Sequence, residues 1–449
     1  MPSKETVYLS KAAKAKAREK LDLLIVNANE LVTLSGDNQK PRIGKQMLDI
    51  GIIRDGGLAI KDGRIVAVGK TRDVAKAFKA ENVISAKGKI VLPGFVDPHT
   101  HLVFAGSRED EFQMRIEGAS YMEILDAGGG ILKTVRDTRK ASVEKLVENG
   151  TETLNIMLEH GTTTVEAKSG YGLTTRDELK MLEVIQRLNQ MHTVDLIPTF
   201  LGAHAVPPEF SNNPEGYVHL VTDEMLPKVA EKGAAEFCDV FCERGVFSLD
   251  QSRRILSAGK KLGLKPKLHA DEMSPLGGAE LAAGLGAVSA DHALFSSDEG
   301  IKAMAERGVI ATLLPAAAFS LMNGRYADAR TMINLGAPIA LATDFNPNCW
   351  IENQQLVIAL ACHFMKLTPA EAITAATINA AHAVSRAPEI GSLEVGKKAD
   401  MIVLNVPNHK FLGYRFGSNL VDKVIKNGRL VIDTEASRSE FRLLEEQEI

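Results

Sequence analysis

Cysteine is scarce in this sequence, with only Cys238, Cys242, Cys349 and Cys362 among 449 residues. Four scattered thiols cannot build the disulfide framework that stabilises many secreted domains. We therefore expect a protein of the reducing cytoplasm. Residues 1–20 are rich in lysine and alanine and have no apolar stretch of the kind found in secretory signals, so we expect a solvated helix or a mobile tail there.

Long apolar runs, a basic excess and nucleotide-binding motifs are also missing. No stretch approaches the roughly 20 apolar residues of a membrane-spanning helix. The formal net charge of −4 argues against nucleic acid or an anionic membrane as a partner, because binding to either needs a basic excess. No glycine-rich phosphate loop follows any predicted strand. The remaining composition, 45% hydrophobic and 24% charged, is typical of a soluble globular protein.

Short β-rich runs occupy both ends of the chain. Residues 22–27 and 64–68 are such runs, and Lys61-Asp62-Gly63 is a hairpin signal. A similar pattern returns after about residue 390. Because neither end has enough strands for a sheet of its own, we predict one small β domain built from residues 1–90 and 389–449.

The segment between them, residues 91–388, alternates apolar runs with helical patterns such as residues 142–158, 175–190 and 249–262. Eight apolar runs end in polar residues, at 92–99, 162–167, 194–201, 236–241, 265–269, 287–292, 309–314 and 338–344. Eight such units are the number expected of a (β/α)₈ barrel. A doubly wound sheet would also alternate strands with helices. Polar residues capable of chemistry at most of the predicted strand ends favour a closed barrel.

Histidines are concentrated at these predicted strand ends. His99 and His101 close the first run, and alternate residues of a strand face the same side, so the two imidazoles can share one metal ion. Three more of the eleven histidines, at positions 204, 269 and 292, also lie at strand ends. Any one of them could be an ordinary core or surface histidine. Together, at the face where barrels hold their active sites, they indicate a functional site.

Four of the strand-end residues make a plausible ligand set for a metal. His99, His101, His269 and Asp344 offer three nitrogens and one oxygen, which suit a borderline divalent ion such as zinc or iron. An ion of this kind activates water for hydrolysis at neutral pH. Asp344 can also accept a proton from that water, and Glu272 and His292 are candidates for proton transfer at the reacting group.

Several motifs resemble the amidohydrolase superfamily. They are Pro-Gly-Phe-Val-Asp-Pro-His-Thr-His at 93–101, the histidines of the 268–272 and 290–292 segments, and Ala-Thr-Asp at 342–344. More narrowly, segments 101–108, 168–172, 200–204 and 269–272 resemble the imidazolonepropionase family of histidine degradation. Over nearly the whole chain, the resemblance implies hydrolysis of 4-imidazolone-5-propanoate to N-formimidoyl-L-glutamate, with one bound zinc or iron ion.

The resemblance also implies roles in substrate binding. Arg108 matches the position that holds the propionate, Tyr171 a substrate-contacting tyrosine, and His204 a contact to the ring or its carbonyl. Glu272 matches an acid/base carboxylate and Asn346 a contact to the product. Without the motifs, Arg108 would be interpreted as an exposed helix-cap residue and Tyr171 as a packed loop aromatic.

Two features depart from the family pattern. The resemblance implies substrate contacts at both Asn348, which stands where the pattern has glycine, and Cys349, which stands where it has threonine. Cys349 lacks an identified base, which argues against a nucleophilic role. Lys168 lies on the second predicted strand, whereas members with two metals carry a carbamylated lysine on the fourth. We therefore predict one metal, with Lys168 near the site as a charge or donor, or else simply solvated.

Two alternatives remain open from the sequence. Another ring hydrolase or deaminase of the superfamily would act on a guanine-like or cytosine-like base, but such a base has no carboxylate for Arg108. A non-catalytic scaffold would be expected to lack metal ligands, and here all four positions are filled. We expect a homodimer, the commonest soluble oligomer.

Overall fold

The computed structural model describes residues 8–9, 20–119, 123–124, 127–322 and 324–435. The helix or tail predicted for residues 1–20 therefore lies almost entirely outside the described residues. Seventeen strands in this part of the chain form two sheets.

The first sheet has nine strands from both ends of the chain, in the order β1-β4-β3-β2-β6-β15-β16-β17, with β5 beside β2. Their bounds are Tyr8–Leu9 (β1), Leu21–Val32 (β2), Ile52–Lys61 (β3), Arg64–Lys70 (β4), Ala80–Ser85 (β5), Ile90–Pro93 (β6), Met401–Leu404 (β15), Val421–Lys426 (β16) and Arg429–Asp433 (β17). The predicted hairpin joins β3 to β4, where Asp62 and Gly63 both have positive φ. Because β6 pairs with β2 and with β15, it joins the two ends of the chain, as predicted for a composite β domain.

The second sheet is a nearly closed barrel of eight parallel strands. Its strands are Phe95–Thr100 (β7), Thr162–Lys168 (β8), Asp195–Ala203 (β9), Phe237–Cys242 (β10), Lys265–Ala270 (β11), Ser289–His292 (β12), Ile310–Leu313 (β13) and Ile339–Leu341 (β14). Closure comes from the segment after β14, where the Asp344 N–H donates to His99 O at 3.1 Å and the His101 N–H donates to Phe345 O at 2.9 Å. The predicted barrel with a small β domain is confirmed.

The first predicted barrel strand was wrong in one respect. The run at 92–99 is divided between the two sheets, since β6 ends at Pro93 and β7 begins at Phe95. Gly94 makes the transition, and a Cβ there would lie 2.4 Å from side-chain atoms of Thr163. Only glycine lets the backbone pass this close to the Thr163 side chain.

Most helices cover the outside of the barrel, whereas the helix Thr71–Ala77 packs on strands β2, β3 and β4 of the first sheet. The α-helices are Thr71–Ala77, Glu109–Ile116, Ile131–Lys140, Val143–Glu159, Thr175–Met191, Pro214–Leu220, Leu226–Glu231, Leu249–Lys261, Gly278–Leu285, Asp298–Arg307, Pro315–Ser320, Ala329–Asn334, Gln354–Phe364, Pro369–Ala376 and Ile378–Ala383. A π-helical turn occupies Val221–Met225, and 3₁₀ turns occupy Gly44–Leu48, Pro208–Phe210 and His409–Phe411. Among the described residues, none of these helices is long and apolar enough to cross a membrane.

The long helices begin where the sequence provides a cap. Ser142, Thr174 and Ser248 each accept a hydrogen bond from the backbone N–H three residues further on. Such caps satisfy an otherwise unpaired donor of the first helical turn. They explain why three predicted helical patterns match the observed helices within about two residues.

Candidate active site

The site lies at the carboxyl end of the barrel, where four strands deliver its central residues. His99 belongs to β7 and His101 follows it, His269 belongs to β11, His292 ends β12, and Asp344 follows β14. All five are buried, with at most 5% of any residue exposed. Parallel strands end at one face of a barrel, so residues far apart in sequence meet there.

The imidazoles and the carboxylate converge on a small volume. Ligand atoms of His99, His101 and His269 lie within 4.8 Å of one another, and so do those of His99, His292 and Asp344. Asp344 Oδ1 lies 3.5 Å from Nε2 of both His99 and His101. The structure therefore brings together the four residues predicted to bind metal, and it places His292 at a similar distance.

The donor atoms in this cluster fit a metal ion. His99 Nε2, His269 Nε2 and Asp344 Oδ1 are buried and have no hydrogen-bond partner within the described part of the chain. Buried polar atoms are normally paired, because an unpaired one costs about 1–3 kcal/mol. Two imidazole nitrogens and a carboxylate oxygen left unpaired around one point have the chemistry of a site for zinc or iron.

Two aspartates orient the ligand histidines. Asp291 Oδ2 lies 2.6 Å from His99 Nδ1, and Asp239 Oδ2 lies 3.0 Å from His269 Nδ1. The Asp291 carboxylate can only accept, so His99 Nδ1 carries the proton and His99 Nε2 presents a lone pair to the centre of the cluster. His269 Nδ1 lies at ion-pair distance from Asp239 without an aligned hydrogen bond. Outer carboxylates of this type fix the tautomer and the ring orientation of metal-binding histidines.

A buried lysine lies beneath these aspartates. Lys168 Nζ is 2.7 Å from Glu166, 2.9 Å from Asp239 and 3.7 Å from Asp291, and all four side chains are fully buried. Burial alone would lower the pKa of Lys168, but the attraction of Asp239 and Glu166 outweighs it and raises the pKa above its ordinary value. The interpretation of Lys168 as a solvated residue is therefore wrong.

One cleft collects eleven of the twelve residues singled out from the sequence. It is lined by His101, Arg108, Tyr171, His204, His269, Glu272, His292, Asp344, Asn346, Asn348 and Cys349, together with apolar side chains. The twelfth residue, His99, is fully buried beside the rings of His101 and His269.

Arg108 stands on the wall of this cleft. Its Nε and Nη2 both donate to Glu111 Oε2, at 2.9 and 2.8 Å, and its side chain is 12% exposed. That contact uses one edge of the planar guanidinium. No other described residue hydrogen-bonds the guanidinium, so its Nη1–Nη2 edge can make a bidentate contact to a ligand carboxylate.

His204 and Tyr171 form the aromatic side of the cleft. The His204 ring stacks on His101 with centroids 4.7 Å apart, and its Nδ1 lies 3.1 Å from Gly170 O. Because a carbonyl only accepts, Nδ1 carries the proton and Nε2 is an acceptor. Burial lowers the pKa of His204 to about 3, so its ring is neutral. The Tyr171 ring lies 5.2 Å from that of His204.

Glu272 and His292 form the candidate proton-transfer pair, with Glu272 Oε2 3.6 Å from His292 Nε2. Burial raises the pKa of Glu272 to about 7. Burial also places the pKa of His292 well below its ordinary value. Near neutral pH the carboxyl group can therefore hold and release a proton, whereas the imidazole is neutral.

The loop after β14 is organised by Asn346. Its Nδ2 donates to Asp344 O at 2.7 Å, and its Oδ1 accepts from the Asn348 N–H at 2.8 Å. Asn348 does not adopt positive φ, so the replacement of a glycine causes no backbone strain. Burial raises the pKa of the Cys349 thiol, whose Sγ lies 3.5 Å from Thr343 O. A neutral thiol is a poor nucleophile.

The backbone is strained where the strands deliver these groups. Asp271, His292 and Asp344 have φ values of 51°, 74° and 53°. A non-glycine residue in this region costs on the order of 1–3 kcal/mol and is typical of functional sites. No feature of the sequence predicts this strain.

Comparisons with known proteins agree with this arrangement. The sequence profile of the amidohydrolase family matches residues 90–431. The imidazolonepropionase of Alkaliphilus metalliredigens is 54% identical over 92% of this chain and 98% of its own length. The imidazolonepropionase of Geobacillus kaustophilus is 55% identical, with the same coverage. The chain belongs to the imidazolonepropionase family. The predicted resemblance is confirmed, and the protein is a hydrolase.

Solved structures show that members of the imidazolonepropionase family share their fold with distant enzymes. An Escherichia coli guanine deaminase superposes with a TM-score of 0.69 at 16% identity, covering 92% of this chain and 99% of its own. A zinc-bound adenosine deaminase from Xanthomonas campestris has a TM-score of 0.67 at 20% identity, covering 96% and 99%. These similarities extend to the fold alone.

Sequence reasoning missed Asp239 and Lys267 as part of this imidazolonepropionase-family site. Asp239 contacts His269, and the Lys267 Nζ donates to Pro98 O at 2.8 Å, next to His99. Both are charged residues inside apolar strand runs, a signal that could have identified them because fully buried charges are rare unless paired.

Proposed function

We propose that the protein hydrolyses 4-imidazolone-5-propanoate to N-formimidoyl-L-glutamate, a step of histidine degradation. The observation that carries this proposal is a single cleft with unpaired metal-ligand atoms at its floor and the Arg108 guanidinium on its wall. Relatives at 54% and 55% identity are named imidazolonepropionase. Water is added across the ring C–N bond, which yields a carboxylate and a free nitrogen that takes up a proton.

One zinc or iron ion per chain would be held by His99, His101, His269 and Asp344. Bound there, the ion supplies Lewis-acid activation of water and of the ring carbonyl. The unpaired Nε2 atoms of His99 and His269 support this assignment. Asp344 takes up a proton at its second oxygen as water attacks.

Arg108 would hold the propionate through its free Nη1–Nη2 edge. A bidentate guanidinium–carboxylate contact fixes both the position and the direction of the substrate. Glu111, which accepts from the opposite edge, keeps the guanidinium plane in place. A neutral purine or pyrimidine base has no group for this contact, which argues against the alternative substrates.

His204 and Tyr171 would bind the ring. With its Nδ1 proton directed at Gly170 O, His204 presents Nε2 as an acceptor for a ring N–H. The low pKa of His204 keeps that acceptor unprotonated over the physiological range. Tyr171, 3% exposed, packs beside it as an aromatic wall.

Glu272 would deliver the proton to the leaving nitrogen. Its pKa of about 7 lets it carry a proton at neutral pH, whereas the neutral His292 beside it serves as a hydrogen-bond partner. Asn346, Asn348 and Cys349 would close the product side of the cleft. Because the Asn346 amide is engaged within its own loop, we assign this side chain a loop-ordering role in addition to any product contact.

We also propose a cytoplasmic homodimer. All four cysteines are free thiols. Phe364, Tyr414 and Phe416 are 49%, 76% and 61% exposed, and Phe364 stacks on Tyr326 at 4.6 Å. Exposed aromatic patches often mark interfaces. Sedimentation equilibrium should give twice the chain mass for the wild type and the chain mass for a Tyr414→Glu/Phe416→Glu variant; a monomeric wild type would contradict the dimer.

The test of the reaction is an assay with 4-imidazolone-5-propanoate, following the loss of ring ultraviolet absorbance and identifying the product by mass spectrometry. Metal analysis of the same sample should find one zinc or iron per chain. No turnover by metal-loaded protein would overturn the proposed reaction, and full activity after removal of all metal would overturn the metal site.

A further inference from the structure

Lys168 is the common partner of the two aspartates that orient metal-ligand histidines. Its Nζ lies 2.9 Å from Asp239 Oδ2 and 3.7 Å from Asp291 Oδ2. The same two oxygens face His269 Nδ1 at 3.0 Å and His99 Nδ1 at 2.6 Å. One ammonium thus connects two ligands that come from strands on different parts of the barrel.

The two aspartates share this ammonium as a counterion, and Lys267 is a second cation that attracts Asp291. Both are fully buried, and both point an oxygen at the same nitrogen, so they lie close together in the interior of the protein. Like charges in a low-dielectric interior repel strongly. Without the ammonium, the carboxylates would separate or admit water, and either change would turn the rings that they hold.

We propose that Lys168 is a positioning residue for the metal site, which sets the orientation of His99 and His269 through Asp291 and Asp239. This inference rests on the proposed function, because it requires that these histidines bind a metal. Lys168 is not among the residues that line the substrate cleft. Its effect on the reaction is therefore indirect.

A purely structural role for Lys168 is the competing explanation, and a second buried lysine allows a comparison. Lys426 Nζ lies 2.6 Å from Asp400 and 2.8 Å from Asp195, and its side chain is 1% exposed. Neither aspartate contacts a histidine of the metal cluster. Lys426→Met therefore removes a buried ammonium from between two carboxylates without disturbing the ligands.

The test compares Lys168→Met with Lys426→Met and the wild type. Each protein is stripped of metal and titrated with zinc against a competing chelator, and the visible spectrum of its cobalt(II) form is recorded as a report of ligand geometry. We expect Lys168→Met to bind zinc about 10- to 100-fold more weakly, as for other losses around metal ligands, and to show an altered cobalt spectrum. Lys426→Met should match the wild type in both measurements, even if it melts at a lower temperature.

A folded Lys168→Met variant with wild-type zinc affinity and an unchanged cobalt spectrum would overturn the proposal. Equal weakening in Lys426→Met would also overturn it, since the effect would then be a general loss of stability. Failure of the wild type to bind metal would instead defeat the proposed metal site. The two failures are therefore distinguishable.

A second variant covers the case in which Lys168→Met does not fold. Lys168→Met/Glu166→Gln removes the ammonium together with one carboxylate that does not contact a ligand histidine. Removing both members of a buried ion pair is tolerated far better than removing one. This variant still lacks the connection between Asp239 and Asp291, so it should show the same weakened zinc binding; wild-type affinity would overturn the proposal.

Discussion

The barrel has a lysine–aspartate cluster with a buried lysine toward each end, and the two clusters differ in what their aspartates contact. At the carboxyl end, the aspartates around Lys168 hold the histidines of the metal cluster. Toward the amino end, Asp400 Oδ1 accepts from the Asn427 backbone, and Asp195 pairs again with Lys398. Similar ion-pair chemistry thus serves a reactive site at one end and the junction with the β domain at the other. A buried charge does not by itself identify a functional site. The residues that its ion-pair partners contact do.

The largest loss of activity is expected when a candidate metal ligand is removed at the carboxyl end of the barrel. We expect His269→Ala to lower kcat at least about a thousandfold, because the metal contributes several kcal/mol of transition-state stabilisation. The variant should also lose most of its bound metal, measured by elemental analysis. Metal content and turnover both near wild type would show that His269 is not a ligand.

Glu272→Gln tests proton transfer at the carboxyl end of the barrel independently of metal binding. The amide cannot donate the proton, so kcat should fall about 10²- to 10⁴-fold while metal content stays at the wild-type level. In the wild type, activity should decline as pH rises through about 7, because Glu272 loses its proton there. The variant should lack this decline. An unchanged pH profile would remove Glu272 from the proton-donor role.

Arg108→Ala tests the wall of the cleft and should have a smaller effect. A hydrogen bond to a charged group contributes about 1.5–3 kcal/mol, so KM for the propionate-bearing substrate should rise roughly 10- to 150-fold. Metal content should not change. Arg108→Lys, which keeps the charge but not the planar fork, should recover only part of the loss. If KM in Arg108→Ala equals that of the wild type, Arg108 does not bind the propionate.

Lys426→Met should have the smallest effect on catalysis. It tests whether the cluster toward the amino end serves stability alone. The buried Asp400 carboxylate would lose its cation, whereas Asp195 is 32% exposed and keeps Lys398, so the fold should be destabilised by about 3 kcal/mol, the lower end for a broken buried pair, as measured by denaturant unfolding. Below the melting temperature, kcat/KM should stay at the wild-type value. A selective loss of kcat/KM in the folded variant would mean that the two ends are coupled.

Much of the architecture could be predicted from local sequence patterns. The eight apolar runs, the capped helices and the hairpin at Asp62-Gly63 depend on residues that are neighbours along the chain, and each appears in the structure. Strand polarity then places every strand end on one face, which explains why twelve residues chosen from the sequence gather at one site. The division at Gly94 was not predictable, since an uninterrupted apolar pattern does not reveal a change of sheet.

By itself, the sequence determined the barrel, the composite β domain, the family and the four ligand candidates. Only the tertiary structure decided which charged side chains lie against the candidate ligands. His99 and Asp291 are 192 residues apart, and they meet because β7 and β12 belong to the same barrel. Nor does any local pattern show that Lys168 is fully buried between Asp239 and Asp291. The partners of a buried charge are set by three-dimensional proximity, which in this site comes from a barrel of strands distant in sequence.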